Sequence, residues 1–430
     1  MGEPLRVGIA GLGTVGCGVV DLLRRNEDLL ARRTGRPIRI VAVSARDPAR
    51  PRPVALDGFR WHPDARGLAE DPEVDVVCEL IGGADGIALE LARRALAGGR
   101  PLVTANKAML AHHGAELARL AESRGVALAF EAAVAGGIPI VKALREGLAA
   151  NRIRRIYGIL NGTSNYILTV MRETGRDFAD VLAEAQALGY AEADPSFDVD
   201  GIDAAHKLSL LAALAFGGRP RFDAIHIEGI RHVAAVDIAF AEELGYRIKL
   251  LGVARMTEAG LEQRLHPCMV PKDAPIAQVE GVFNGIVAEC EDAGPVVHEG
   301  RGAGAGPTAS AVVADLVDIA RGVRLPVLGV PASELVDHRP APMSAHRGSY
   351  YIRLMVVDRP GVLADIAAVL RDHEVSIEAL IQRARNPGQA VPIVLTSHET
   401  TEAAMTAALA RIATLAAVLE PPRMIRIERL

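Results

Sequence analysis

Five carboxylates and one lysine are concentrated between Gly189 and Lys207, in the stretch GYAEADPSFDVDGIDAAHK. The apolar run LSLLAALAF follows directly and has the period of a helix. If Asp203 marks zero on a helix that turns ~100° per residue, Lys207 falls at about 40°, and Leu210 and Leu214 fall at about −20° and 20°. The acid and the lysine therefore continue the apolar stripe, and we expect them to face inward.

Ions on an inward-facing stripe are costly unless they pair with each other or line a cavity. A cavity with several carboxylates and one lysine would suit a small zwitterion, because carboxylates bind an ammonium group. Burial lowers the pKa of a lysine, whereas neighbouring acids raise it. On these residues alone, a substrate pocket and a structural ion pair both stay open.

A glycine-rich loop follows the first apolar strand, RVGIA, and precedes an amphipathic helix. Its pattern is G-x-G-x-x-G, and the residues concerned are Gly11, Gly13, Thr14, Val15 and Gly16. Glycines here permit a tight turn and let the backbone approach a pyrophosphate, while the helix N-terminus supplies free N–H groups and a positive dipole. In this strand–turn–helix context the loop predicts dinucleotide binding.

The end of the second strand bears on the choice of dinucleotide. An acidic residue there pairs with the ribose 2′-hydroxyl of NAD, whereas an arginine binds the 2′-phosphate of NADP. The strand IRIVAVSA is followed by Arg46 and then Asp47. We expect NADP to be preferred and NAD to be possible; the alternative is a solvated arginine with no role in binding.

Composition places the chain among globular α/β proteins. It has 430 residues, 50% of them hydrophobic and only 3% aromatic, so two or three domains with aliphatic cores are expected. A net charge of −5 argues against nucleic-acid binding. The four cysteines are far apart, which favours reduced thiols. Without a signal-peptide pattern or an apolar run of ~20 residues, we expect a cytoplasmic protein with no membrane contact.

The order of predicted elements divides the chain into three parts. Strands and helices alternate over the first 130 residues, which is typical of a parallel sheet in a Rossmann-type domain. A second, α+β part follows to about 300. A proline-rich segment then leads to a tail with the order βαββαβ, which predicts a ferredoxin-like fold.

The long pattern from Ala185 to Lys207, A-x3-G-Y-x-E-x-D-P-x2-D-x2-G-x-D-x3-K, resembles the signature of homoserine dehydrogenases. The stretches GLGTVG (11–16), TANK (104–107), EAAVAGGIPI (131–140) and GILNGTSNYI (158–167) agree with it. The resemblance covers roughly the first 330 residues, and the tail is similar to an ACT domain. It implies reversible NAD(P)H-dependent reduction of L-aspartate 4-semialdehyde to L-homoserine, in the biosynthesis of threonine, methionine and isoleucine.

The resemblance also implies domain limits. They are an NAD(P)-binding domain at 1–130, completed by about 305–330, and a catalytic and dimerisation domain at 131–304. A linker at 331–348 and an ACT regulatory domain at 349–430 follow. A homodimer or homotetramer is the implied assembly.

By the same resemblance, Lys207 is the proton donor to the aldehyde oxygen. Glu192 and Asp203 hold the amino-acid group of the substrate, and Asp203 also belongs to the catalytic set. Lys107 lies near both the nicotinamide and the substrate. Neutralising charge on an oxygen with a lysine ammonium is reasonable general-acid chemistry.

Further residues are implied as cofactor and cation contacts. Gly189 and Gly304 are expected to touch the cofactor. A monovalent cation, Na⁺ in the first instance, is expected on the backbone carbonyls of Glu131, Val134, Gly136 and Ile138. Oxygen donors suit a hard cation; the alternative is a glycine kink without metal.

Two alternative functions stay open for the chain. One is an amino-acid sensor with an inactive dehydrogenase body, and another is a Rossmann oxidoreductase for a different amino-aldehyde or imine. An acylating aldehyde dehydrogenase would need a nucleophilic cysteine, and no recognisable motif supplies one. His206 is expected to pack or meet solvent, with a proton relay as the alternative. The Asn161–Asn165 turn either closes a loop or lines the pocket.

In the tail, the turn Asp358–Gly361 precedes a helix whose N-terminus could bind a ligand carboxylate. L-Threonine is the expected effector, acting at a distance because the linker separates the tail from the active site. A purely structural or dimerising tail is the alternative.

Overall fold

A computed structural model describes residues 2–383 and 388–430, and its first sheet has six parallel strands. Their order is 3-2-1-4-5-6, the arrangement of a dinucleotide-binding fold, in which the ligand crevice lies where the strand order reverses. The strands are β1 (Leu5–Ala10), β2 (Ile38–Ser44), β3 (Arg60–Trp61), β4 (Val76–Glu79), β5 (Leu102–Thr104) and β6 (Leu128–Ala129).

Helices cover both faces of this sheet, as a parallel sheet requires. They are α1 (Thr14–Arg25), α2 (Glu27–Thr34), α3 (Ile87–Ala97) and α4 (Lys107–Ser123). The stretch VALAFEAAVAGGIPIV (126–141) predicts one more strand, which would break at the glycine pair 136–137. In the structure this strand, β6, already stops at Ala129.

The second part is built on an antiparallel sheet covered by helices. Its elements in chain order are α5 (Ile140–Lys142), β7 (Ile153–Ile159), α6 (Gly162–Thr174), α7 (Phe178–Ala187), α8 (Ser196–Val199), α9 (Ile202–Phe216), β8 (His226–Ile227), α10 (Ala235–Glu243), β9 (Tyr246–Thr257), β10 (Gly260–Pro271), β11 (Phe283–Cys290), β12 (Gly294–Arg301) and α11 (Ala305–Ala320). Helix α11 returns to the first sheet and packs on α1, where a Cβ at Gly18 would lie 2.8 Å from the carbonyl oxygen of Ala305.

The tail has the predicted βαββαβ order. Its elements are β13 (Arg347–Val357), α12 (Val362–Asp372), β14 (Ile377–Ile381), β15 (Ala390–Ser397), β16 (Thr400–Thr401), α13 (Glu402–Ile412) and β17 (Arg423–Ile427). The main strands lie in the order β17-β13-β15-β14, and the two helices pack over an apolar core of their own. The sequence predicts one of the tail strands near SIEALIQRA (376–384), and the last position of this stretch, 384, lies outside the described residues.

The tail does not stand apart from the body, contrary to the expectation from the proline-rich linker. Strand β17 pairs in parallel with β10, so the two sheets form one sheet of eleven strands. The linker also hydrogen-bonds to the body. The carbonyl oxygen of Val336 accepts from the amide of Arg219 at 3.1 Å, and that of Arg339 accepts from the amide of Leu261 at 2.9 Å. The proline-rich segment is therefore a connection that packs against the body.

Charged side chains are buried at this junction and are paired. The guanidinium of Arg264, 0% exposed, donates to Glu262 at 2.8 Å and to Glu428 at 3.0 Å. Arg426 of β17 donates to Glu228 of the body at 2.9 Å. Breaking such pairs leaves an uncompensated buried charge, so they fix how the tail sits on the body.

None of the helices within residues 2–383 and 388–430 combines the length and the apolar character needed to cross a membrane.

Candidate active site

Asp203 and Lys207 lie on the inner face of α9, as the helical phase of the sequence predicts. Their exposures are 6% and 7%, and Nζ of Lys207 lies 2.7 Å from Oδ2 of Asp203. The same Nζ donates to the carbonyl oxygen of Leu160 at 2.7 Å. A strand end and a helix thus hold the ammonium group in one position.

A second lysine approaches the same carboxylate. Nζ of Lys107, on the first residue of α4, lies 2.9 Å from Oδ1 of Asp203. Burial alone would raise the pKa of Asp203, but Lys207 and Lys107 hold it well below its usual range. Burial lowers the pKa of Lys207, and Asp203 opposes that effect. The carboxylate is therefore ionised and is shared between two lysines.

Two further polar side chains complete the cluster, and neither is among the site residues implied by resemblance. Asp198 lies on α8, and Asn161 lies between β7 and α6. The amide nitrogen of Asn161 donates to Oδ1 of Asp198 at 2.8 Å and to Oδ2 of Asp203 at 3.0 Å. Burial raises the pKa of Asp198, which the hydrogen bond from Asn161 opposes.

This cluster lies in a cavity of about 620 Å³ between the two parts of the chain. The glycine loop contributes Thr14 and Val15 at one end. The other lining residues are Ala105, Lys107, Ala132, Ala133, Val134, Asn161, Gly162, Thr163, Gly189, Tyr190, Asp198, Asp203, Lys207, Val282, Asn284, Arg301, Gly302, Ala303, Gly304 and Thr308. The structure therefore brings the predicted cofactor loop and the predicted catalytic lysines to one cavity.

The glycine loop fits a dinucleotide pyrophosphate. A Cβ at Gly11 would lie 2.4 Å from the carbonyl oxygen of Leu80, and one at Gly16 would lie 2.0 Å from that of Gly11. Gly13 has open space on that side, with no atom within 4 Å. Helix α1 begins here without a side-chain cap, so its first N–H groups remain for an anion.

A second cleft, of about 610 Å³, continues from Gly11 and Gly13 past the end of β2. Arg46 lines it, as do Arg50 and Arg52. Arg52 is held by the carbonyl oxygen of Asp47 at 2.6 Å and stacks on Trp61. Asp47 and Asp64 also line this cleft, so the three arginines leave a net positive lining, which favours an anionic ligand.

The structure places the other predicted residues unevenly. Gly189 and Gly304 line the central cavity, and the 161–163 part of the Asn161–Asn165 turn lines it too. Glu192 is exposed and does not line the cavity, although it follows Tyr190 closely in the chain. His206 packs against Phe222, with ring centroids 4.3 Å apart, and burial lowers its pKa to about 4.

The segment expected to bind a cation is tightly packed. Both carboxylate oxygens of Glu131 accept backbone amides, those of Val141 and Lys142, each at 2.9 Å. Burial, with the neighbouring Asp315, raises the pKa of Glu131 to about 7. A Cβ at Gly136 would lie 2.5 Å from the carbonyl oxygen of Gly302. The donors left for a cation are therefore backbone carbonyls.

Thiol chemistry has no place in this cavity. All four cysteines are free and buried, and burial raises the pKa of each thiol. In the described part of the chain no cysteine lines the cavity.

Asn284 also lines the cavity and was not anticipated from the sequence. It is 1% exposed, and neither polar atom of its amide has a hydrogen-bond partner in residues 2–383 and 388–430. Sequence reasoning had no signal for it, since FNGIV reads as an ordinary strand. For Asp198 a signal existed, because it is one of the five carboxylates in the acidic stretch.

Comparisons with known proteins agree along the whole chain. Residues 139–317 match the sequence model of the family described as homoserine dehydrogenase, 11–131 match its NAD-binding domain and 350–417 match the ACT domain. A homoserine dehydrogenase of Pseudomonas aeruginosa is 48% identical over 436 residues, with 100% of both chains covered.

Solved structures show the same similarity. One from Thiobacillus denitrificans, described as a homoserine dehydrogenase, superposes with a TM-score of 0.92 at 48% identity and 99% coverage of both chains. A hyperthermophilic archaeal homoserine dehydrogenase in complex with NADPH has a TM-score of 0.64 at 26% identity, covering 75% of this chain and 99% of its own.

Proposed function

The chain belongs to the homoserine dehydrogenase family, and from that premise we propose how its residues carry out the reaction. The enzyme is an NAD(P)-dependent oxidoreductase that acts on the CH–OH group of homoserine. The reaction interconverts L-homoserine and L-aspartate 4-semialdehyde, and a bound nicotinamide supplies or accepts the hydride.

Lys207 is the proton donor when the aldehyde is reduced. Negative charge develops on the aldehyde oxygen, and a buried ammonium group stabilises that charge and transfers a proton to it. Asp203 holds Lys207 and Lys107 at 2.7 and 2.9 Å, which fixes both lysines at the cavity wall. This constellation, in the same cavity as the glycine loop, is the observation that carries the assignment.

Asp198 binds the ammonium group of the substrate. It is the carboxylate of the acidic stretch, besides Asp203, that lines the cavity. Asp203 is already paired with two lysines, so Asp198 has the greater capacity for a third cation. The resemblance implies Glu192 for this role. Its side chain is exposed and does not line the cavity, so a role for Glu192 stays a prediction without support from the geometry.

NADP is the preferred cofactor, with NAD as a second substrate. The supporting feature is the cleft at the end of β2, where Arg46, Arg50 and Arg52 surround the region expected for the adenosine ribose. The archaeal relative described above was solved with NADPH. Gly189 and Gly304 line the central cavity and would contact the cofactor there.

A monovalent cation, Na⁺, binds to the backbone carbonyls of Glu131, Val134, Gly136 and Ile138. The carboxylate of Glu131 is engaged by backbone amides, which leaves carbonyl oxygens as the donors. Activity should rise when NaCl replaces choline chloride at constant ionic strength. Equal activity in both salts would remove the cation from the account.

L-Threonine binds in the tail and inhibits the enzyme. A cavity of about 250 Å³ lies over the turn Asp358–Gly361, at the N-terminus of α12, and Gln382 closes one side of it. Free amides at the helix start suit a ligand carboxylate, and Asp358 suits its ammonium group. The inhibitory signal reaches the body through the shared sheet.

The assembly is a homodimer or homotetramer. Strand β12 has one hydrogen-bonded neighbour, β11, in the described part of the sheet, which leaves its outer edge for another subunit. Light scattering of the purified protein tests this, and a monomeric mass would exclude it.

The activity is tested by following NADPH absorbance with L-homoserine and NADP⁺, then with NAD⁺ and with other amino alcohols. Turnover of homoserine well above that of the other alcohols is expected. Preference for another alcohol would favour an oxidoreductase with a different substrate.

A further inference from the structure

Asn161 has its side-chain amide fixed in one orientation by a helix cap. Its Oδ1 accepts a hydrogen bond from the amide of Ser164 at 2.8 Å, at the start of α6. An asparagine cap uses its oxygen in this way. The amide nitrogen must therefore point away from the helix, towards the acidic cluster.

That nitrogen has two hydrogens, and each meets a different carboxylate. Oδ1 of Asp198 accepts one at 2.8 Å, and Oδ2 of Asp203 accepts the other at 3.0 Å. Asn161 is 5% exposed and lines the central cavity. It therefore links two neighbouring acids that would otherwise repel each other in a region of low dielectric.

The two acids have different proposed tasks, since Asp198 binds the substrate ammonium and Asp203 orients the lysines. The groups that face Asp198 come from three elements. Asp203 and Lys207 belong to α9, Thr163 and Asn161 to the start of α6, and Lys107 of α4 bonds the other oxygen of Asp203. Among these neighbours, Asn161 is the neutral donor shared by both carboxylates.

We propose that Asn161 is a positioning residue that holds Asp198 ionised and at a fixed separation from Asp203, so that the substrate ammonium and the catalytic lysine are set relative to each other. This inference rests on the proposed role of Asp198. It goes beyond that role because it assigns the geometry of the substrate site to an uncharged residue whose side-chain amide bonds the two acids.

The first test is Asn161→Asp, which keeps an oxygen for the helix cap and replaces the shared donor with a third carboxylate. Asp198 must be ionised to bind an ammonium group, so kcat/KM for homoserine falls as pH falls through the pKa of Asp198. Loss of the donor and addition of a negative charge both raise that pKa. The acid limb of the pH profile, where kcat/KM falls at low pH, should therefore move to higher pH by about one unit or more. KM for homoserine at neutral pH should rise on the order of tenfold.

Asn161→Ser guards against a folding defect, because serine also caps helices well. It should shift the acid limb in the same direction by a smaller amount and leave the NADPH dissociation constant unchanged. A purely structural role for Asn161 would instead lower kcat, thermal stability and cofactor affinity together, with the acid limb where the wild type has it. That outcome in both variants would overturn the proposal.

Asp198→Asn, measured in parallel, separates this inference from the function on which it rests. An unchanged KM for homoserine in Asp198→Asn would remove Asp198 from substrate binding. A raised KM there, together with an unshifted acid limb in Asn161→Asp, would overturn the role of Asn161 alone.

Discussion

Oδ2 of Asp203 lies 2.7 Å from Nζ of Lys207, one helical turn further along α9, and both side chains are buried. On a protein surface such a pair would contribute a few tenths of a kcal/mol. Here the pair forms part of a cavity wall, and the second carboxylate oxygen of Asp203 binds Lys107 at 2.9 Å. Burial lowers the pKa of Lys207, and Asp203 is the neighbour that most opposes this effect.

In the pH profile of aldehyde reduction, the rate declines at high pH. Replacing Asp203 with asparagine should shift this decline to lower pH. Lys207 must be protonated to donate, so the rate falls as pH rises through its pKa. Burial lowers that pKa and Asp203 raises it. Without the carboxylate, burial is less opposed, and a shift on the order of one pH unit or more is expected.

The pH profile of kcat for reduction of the semialdehyde measures this shift. Asp200→Asn is the matched control, because Asp200 lies three residues earlier and pairs with Arg231 at 2.5 Å outside the cavity. Its profile should match the wild type. An unshifted limb in Asp203→Asn would mean that Lys207 does not depend on this carboxylate.

Arg46→Asp should weaken NADPH and spare or improve NADH. The variant removes a guanidinium from the cleft at the end of β2 and introduces a carboxylate that can pair with a ribose hydroxyl. We expect KM for NADPH to rise on the order of tenfold, as for loss of a charge-assisted contact.

Arg39→Asp, on β2 itself and paired with Glu27, controls for the change in net charge. It should leave the ratio of kcat/KM for the two cofactors unaltered. If the wild type already uses both cofactors equally, Arg46 does not select between them.

Asp358→Ala should abolish inhibition by threonine without changing turnover in its absence. Asp358 lines the tail cavity at the start of α12 and is the acid expected to bind the effector's ammonium group. Asp372→Ala, at the other end of α12, is the control and should retain inhibition. Inhibition that persists in Asp358→Ala and is competitive with homoserine would place threonine in the substrate cavity.

A chain shortened at Pro342 is a poor test of the same point. Removing the tail would take β17 from the edge of β10 and Glu428 from the buried Arg264. Such a chain would lose stability, and lost inhibition could not then be assigned to a lost binding site.

Glu428→Ala should destabilise the protein by about 3–5 kcal/mol, because it leaves Arg264 buried with Glu262 as its remaining acidic partner. Urea unfolding, followed by circular dichroism, measures the loss. Glu399→Ala removes an exposed partner of Arg347 in the same domain, and a change of about 0–1 kcal/mol is expected. Equal effects in both variants would mean that the buried network does not hold the tail to the body.

The sequence predicts the parts of this enzyme that depend on local patterns. The spacing of its glycines predicts the dinucleotide-binding loop. The helical period of the sequence predicts that Asp203 and Lys207 lie on the inner face of α9. The βαββαβ order of the tail follows from its alternating runs. Each of these features is contained within a short stretch of chain.

Features that depend on distant contacts could not be predicted. Asn161 meets Asp198 only because the start of α6 packs beside α8, 37 positions further along the chain. The contact between tail and body could not be predicted either. The stretch EQRLHP in β10 mixes polar and apolar residues, which is typical of a strand with one face in solvent. Glu262 and Arg264 of that stretch are in fact buried under the tail.

The most direct test of the account is the turnover of Lys207→Met. Loss of the general acid should lower kcat on the order of a hundredfold or more at neutral pH, with the NADPH dissociation constant nearly unchanged. Lys249→Met is the control: Lys249 is also buried, but it donates to the carbonyl oxygen of Val279 at 2.6 Å and does not line the cavity. That variant should lose stability and keep its turnover within a few-fold. A near-normal kcat in Lys207→Met would remove this lysine from the mechanism and contradict the central assignment.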